Sequence, residues 1–165
     1  FFQLSSCSFH SSQYDFFKSL VVEKNNSQKP KKNWTAYWVD RQIDLYAINI
    51  ENQIIFADEN INIFFKDNVI YKVTGLLPNN SVLDIESNNN SMIYSMDGRI
   101  IAADLCELSQ TLIMKDASKH HVQPCLSAEA NRLYKNEVNI SSEGYITEIR
   151  FKIHPDYPLL RLRIK

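Results

Sequence analysis

The sequence predicts a mainly β protein, an antiparallel meander of hairpins forming a barrel or sandwich, preceded by a tether with a short N-terminal helix. Three observations predict it. Short runs rich in Ile, Val, Tyr, Phe and Trp recur from Trp34 onward, each bounded by Asn, Asp, Glu or Gly. Favoured turn residues separate neighbouring runs. No alternation of strand and helix appears, so a parallel sheet is not expected. At 165 residues the chain is long enough for one domain with a sizeable core.

In chain order, the first element is the opening FFQLSSC. Leu4-Ser5-Ser6-Cys7 has the form of a lipobox: an aliphatic residue, two small ones, then the cysteine whose thiol accepts a lipid. Phe1 and Phe2 would be the tail of the apolar run of a signal peptide. Residues 1–7 are therefore read as the end of a lipoprotein signal peptide, with Cys7 as the lipidated residue. The alternative is a buried or disulfide-bonded Cys7. Residues 8–33 read as a tether. Tyr14, Phe16, Phe17, Leu20 and Val21 fall at helical spacing. The stretch NNSQKPKKN, residues 25–33, is too polar to bury surface and reads as linker.

Residues 34–165 read as a single β-rich domain. TAYWV, IDLYAINI, QIIFA, INIFF and VIYKVTGL are its first strand stretches. A turn is expected at Lys66-Asp67-Asn68, another at Asp97-Gly98, and a third at Ser142-Glu143-Gly144. Beyond the third, Thr147, Ile149, Phe151 and Ile153 alternate with Ile146, Glu148, Arg150 and Lys152, close to one-in, one-out order. Gly75 marks a place where the chain leaves the sheet. LSAEANRLYK (126–135), with Ser127 as N-cap, is the one helix candidate inside the domain; an irregular strand approach fits it equally.

Composition narrows the function classes. The 18 basic and 19 acidic residues give a net charge of -1, so no basic field points to nucleic acid. No apolar run approaches the roughly 20 residues of a membrane-spanning helix. The runs Asn25-Asn26, Asn79-Asn80 and Asn88-Asn89-Asn90 are read as codon bias. Of three cysteines, Cys106 and Cys125 remain a pair if Cys7 carries lipid. In an oxidising compartment they would bond; otherwise they are two buried thiols.

Motifs for chemistry are sparse. His120-His121 and Cys125 start a metal reading, but adjacent histidines on a strand point to opposite faces. The pair is read instead as part of a polar turn, and no metal or other cofactor is expected. No Gly-x-Ser-x-Gly or phosphate-binding loop occurs. Asp58-Glu59 falls in a turn, where carboxylates are solvated. The chain is therefore read as non-enzymatic, with no catalytic residue. Trp34, Tyr37 and Trp38, beside Asp40 and Arg41, have the chemistry to stack on sugar rings. The competing and favoured role is core packing by Trp38 and its alternate partners.

The C-terminal segment NEVNISSEGYITEIRFKIHPDYPLLRLRIK resembles the end of the YjbF/GfcB family of bacterial outer-membrane lipoproteins. Ile140, Gly144, Ile146, Asp156, Tyr157 and the closing LLRLRIK carry the likeness. FFKDNVIYKVTGL resembles a second family stretch through Lys72, Gly75 and Leu76. Departures are Glu137-Val138-Asn139-Ile140 where the family has Tyr-Trp-Ile-Asp, Ile149 and Phe151 in place of the family's Ser-x-Gln, and Asn68 at its usual turn glycine. The resemblance implies a lipobox, a variable linker and a β-rich domain, in that order. It also implies a periplasm-facing protein held at the outer membrane through a lipid anchor, assisting capsule or exopolysaccharide production or export. Ser8, after the cysteine, is compatible with that location. Expected partners are polysaccharide export proteins or the polysaccharide itself. The alternative is a glycan- or lipid-binding β-module of the bacterial periplasm. A third reading, an enzyme acting on polysaccharide, would need paired carboxylates in a cleft.

Overall fold

The computed structural model describes residues Lys32–Lys165; Cys7 and the helix read around Tyr14–Val21 lie outside the described residues. Thirteen strands follow one another: β1 (Trp34–Trp38), β2 (Arg41–Ile50), β3 (Gln53–Ala57), β4 (Asn62–Lys66), β5 (Val69–Thr74), β6 (Leu83–Ser87) and β7 (Ser91–Met96). Then come β8 (Arg99–Cys106), β9 (Gln110–Ile113), β10 (Lys119–Ser127), β11 (Arg132–Ile140), β12 (Ile146–Phe151) and β13 (Leu160–Ile164). A 3-10 turn at Pro78–Asn80 is the only helical piece among the described residues.

The sheet is antiparallel and closed. β1 to β8 pair in sequence, β10 joins β8, β10 to β13 pair in sequence, and β13 returns to β1. Twelve strands make the barrel. β9 stands outside the ring, paired with β10 alone. Of the two architectures the sequence left open, the barrel forms because β1 and β13 meet in register, Trp34 opposite Ile164 and Tyr37 opposite Arg161.

The turns follow the local chemistry. Asp67-Asn68 has φ of 51° and 66°, and Asp97-Gly98 has 51° and 78°. Positive φ at both central residues matches the right-handed twist of the flanking strands, which is why short polar residues and glycine stand there. Asp97 Oδ1 accepts from Val82 N–H at 2.9 Å, tying this turn to the start of β6.

The helix candidate over residues 126–135 is a hairpin instead. Ser127 ends β10 and Arg132 starts β11, with Leu126 opposite Leu133. Ser127 does cap, since its hydroxyl accepts from Ala130 N–H at 3.4 Å. It caps one turn only, because the four residues between the strands are too few to nucleate a helix. Lys119-His120-His121 is likewise not a turn but the first part of β10.

The inward residues of β1 to β5, β12 and β13 build an apolar wall. Trp34, Ala36, Phe56, Ile63, Ile70, Ile149, Phe151 and Leu162 are all buried there. On the outer face of β11, β12 and β13, Glu137, Arg150, Glu148 and Arg161 pair in a ladder at 2.6–3.5 Å, while Leu105, Leu112, Ile113 and Leu133 are exposed on and around β8 to β11. No helix among the described residues is long and apolar enough to cross a membrane.

The meander places alternate loops at opposite ends. One end is capped by Ile61, Leu76, Leu77, Ile153 and His154, all buried. Trp38 packs on Tyr157 with ring centroids 4.8 Å apart, and His154 lies edge-on to the same ring at 4.8 Å. The other end stays open on one side, and the candidate site lies there.

Candidate functional site

The remaining wall of the lumen, from β7, β8, β10 and β11, is mixed: Met92, Ala102 and Val138 join the core there, and the buried polar residues Asp104, Ser127 and Asn136 stand among them. Along a strand every second side chain points inward. In β8 these are Ala102, Asp104 and Cys106; in β11 they include Tyr134, Asn136 and Val138. Asp104 is 1% exposed, so its carboxylate needs partners. It receives the Tyr134 hydroxyl at 2.7 Å and Ala128 N–H at 3.2 Å. The Tyr134 and Tyr94 hydroxyls are 2.9 Å apart. Burial pushes both phenols well above their ordinary range, so they remain protonated donors. The Lys152 ammonium lies 5.7 Å from the centre of the Tyr134 ring and donates to the Tyr157 carbonyl at 2.9 Å. Burial lowers its pKa, against the opposing pull of Asp104 and Asp156.

Cys106 and Cys125 sit opposite each other in register and are joined by a disulfide. The β8–β10 seam has only this pair and Leu105 opposite Leu126. The covalent bond therefore closes the ring where few backbone bonds do.

Toward the open end this wall becomes a cleft of about 410 Å³. One side is formed by the hairpin turns, with Asp67 and Asn68 from β4–β5 and Asn88 and Asn89 from β6–β7. The facing side is Ser109 and Thr111 beside β9. The floor is His121, Gln123, Asn136 and Val138. Gln123 and Asn136 are partners across β10–β11. Asn136 is 3% exposed; its Oδ1 accepts from Lys152 N–H at 2.8 Å. Its Nδ2 meets only sulfur, Met92 Sδ at 3.5 Å and Cys125 Sγ at 4.0 Å. The Thr111 hydroxyl and His121 Nδ1 are 2.7 Å apart. Burial, with Lys119 and His120 nearby, lowers the His121 pKa, so the ring is neutral near pH 7. Asp67 is then the one formal charge in the lining. A shallower recess of about 260 Å³ shares Asp67, Val69 and Ser87 with the cleft and adds Lys66 and Tyr71, prolonging it along β5.

The residues singled out in the sequence are placed differently. Trp34 (5% exposed) and Trp38 (4%) are core residues, and Trp34 packs edge-on to Phe56 at 4.8 Å. Tyr37 lies on the outer face, 40% exposed, beneath the Arg161 guanidinium. Strand alternation separates Tyr37 from its neighbours, so the three do not form one stacking surface. His120 and His121 diverge in the same way: His120 faces Glu137 outside at 3.5 Å, and His121 faces the cleft. Among the described residues no group of three His, Cys, Asp or Glu is placed to hold a metal ion.

The cleft amides were not singled out from the sequence. Asn88-Asn89 was read as bias in composition. Gln123 and Asn136 carried a signal, a polar residue at an inward strand position, but it needs the pairing of β10 with β11 to be seen.

No protein-family model matches the chain. No curated protein sequence matches it significantly. Among solved structures it is similar to the hypothetical lipoprotein YmcC from Escherichia coli (K12), at 12% identity and a TM-score of 0.54. That likeness covers 100% of this chain and 98% of the other. At this identity it shows a shared fold.

Proposed function

We propose that the chain is a non-enzymatic lipoprotein of the bacterial envelope, anchored through Cys7, that assists capsule or exopolysaccharide production or export by holding a segment of the polymer in its cleft. The observation that carries this reading is the cleft lining. Side-chain amides and hydroxyls from Asn68, Asn88, Ser109, Thr111, Gln123 and Asn136 converge on one space. Sugars present many hydroxyls and little charge, and such a lining offers both donors and acceptors to them. The adjoining recess with Tyr71 gives a chain molecule room to continue past the cleft, beside an aromatic ring. The lipobox, the YjbF/GfcB resemblance and a neighbour of this fold described as a lipoprotein support the anchor and the envelope setting. Outer-membrane placement facing the periplasm rests on the resemblance and Ser8. Asp67 is the one carboxylate in the lining, short of the pair that glycosidases use, which supports binding over hydrolysis.

Deleting the gene and restoring it as wild type or as a double Asn88→Ala, Gln123→Ala variant tests the reading. Surface polysaccharide should fall on deletion, return with wild type and stay low with the variant. Unchanged polysaccharide on deletion would contradict the role. Full rescue by the variant would remove the cleft from it.

A further inference from the structure

The cleft floor has a chemical character that narrows its ligand. Asn136 is held by Lys152 N–H through its oxygen, so its amide nitrogen faces the interior with a fixed sign, as a donor. The only partners of that nitrogen are thioether and disulfide sulfur, which are weak acceptors. An oxygen acceptor that reached the floor would be a stronger partner for this donor than either sulfur. Gln123 presents a second amide beside it, across the strand pair. Val138, 2% exposed, and Val69 supply apolar surface within the same lining. No lysine or arginine lines the cleft, and its one charge, Asp67, is negative. A ligand that fits carries a carbonyl acceptor next to a small apolar group and no negative charge. An acetamido group on an uncharged sugar has that pattern. The volume, about 410 Å³, lies within the range of sites that enclose one small ligand.

We infer that the cleft recognises an N-acetylated, uncharged sugar residue, its acetamido carbonyl accepting from the Asn136–Gln123 amides and its methyl resting on Val138 and Val69. This rests on the polysaccharide reading above and specifies its substrate class. Asn136 and Gln123 are then specificity residues. An anionic sugar is disfavoured in the cleft itself, where Asp67 is the one charge and Lys66 lies out in the adjoining recess.

Calorimetric titration of the full chain with four defined probes tests the inference: a β-1,4-linked N-acetylglucosamine trimer, cellotriose, a glucosamine trimer and trigalacturonate. The acetylated trimer should bind at least about tenfold tighter than cellotriose, which has hydroxyls in place of acetamido groups, and tighter than the glucosamine trimer. Trigalacturonate should not bind at the same concentrations. Gln123→Ala should weaken the acetylated trimer at least about fivefold and cellotriose by a smaller factor, so that the preference between the two shrinks; it remains readable if Asn136→Ala fails to fold. Equal binding of acetylated and hydroxyl trimers, or tighter binding of trigalacturonate or the glucosamine trimer, would overturn the acetamido assignment while leaving glycan binding in place. If no trimer binds but isolated capsule polysaccharide does, the acetamido assignment also falls. Failure of the polysaccharide as well would remove the reading on which it rests.

Discussion

A Cβ added at Gly75 would lie 1.6 Å from the Asn60 carbonyl oxygen, and the residue has φ of +75°. Both facts forbid a side chain, since the clash is with backbone and the conformation is one that L residues avoid. Gly75→Ala should lower stability by about 3 kcal/mol or more, read from the urea midpoint. The sequence showed this glycine as an exit from the sheet, and its place in the family resemblance has a steric cause. His154 is a second residue with a measurable consequence. Burial lowers its pKa from the ordinary 6.5; Asp156 opposes the shift and Lys152 adds to it. Its Nδ1 accepts from Asp156 N–H at 3.2 Å, a bond that only the neutral ring makes. The folded-state pKa is below the unfolded one, so the unfolded chain binds more protons just below pH 6.5. The contribution is present in full above that pH and is lost as pH falls through the folded value. The urea midpoint should therefore drop between pH 7.5 and 5.5, and His154→Gln should reduce the drop. Part should persist, because His121 is shifted in the same direction. Neither histidine's environment was legible beforehand, since the cap and the cleft floor assemble from distant segments.

At the scale of elements, the disulfide has the clearest role. It joins residues 19 apart and spans a seam with only two paired positions. Cys106→Ser with Cys125→Ser should cost about 3 kcal/mol by the loop-closure model. Hydrogen exchange in that variant should rise first in β8 and β10; a uniform rise would mean that the bond acts only on the unfolded chain. Strands and turns were the most legible part of the molecule. Asp67-Asn68 and Asp97-Gly98 encode their turns locally, and β12 alternates as read, with Ile149 and Phe151 inward. Of the two readings open at residues 126–135, the strand approach is the one that forms. A cap residue, Ser127, favoured a helix, yet Leu126 and Leu133 are cross-strand partners. Ala128 N–H is taken by Asp104 from another strand. Tertiary partners there outweigh local propensity.

For the whole molecule, a meander of hairpins forming a barrel or sandwich could be read from the chain, but the choice between the two could not. The ring depends on β1 meeting β13 and β8 meeting β10 around the displaced β9. These pairings follow from register and twist summed over all strands. The cleft has the same origin, because its sides come from the β4–β5 and β6–β7 turns, β9, β10 and β11. The asymmetry of the lumen, with buried polar groups such as Asp104 and Asn136 gathered on the β8–β11 side, gives the barrel both a core and a binding surface. That division is the central claim of the account. Hydrogen-exchange mass spectrometry with and without the purified surface polysaccharide tests it most directly. The account predicts protection at residues 67–69, 87–89, 109–111 and 121–123, with the capped end around Leu76 and His154 unchanged. Protection at the capped end or on the outer charged ladder, with none at the cleft, would contradict it.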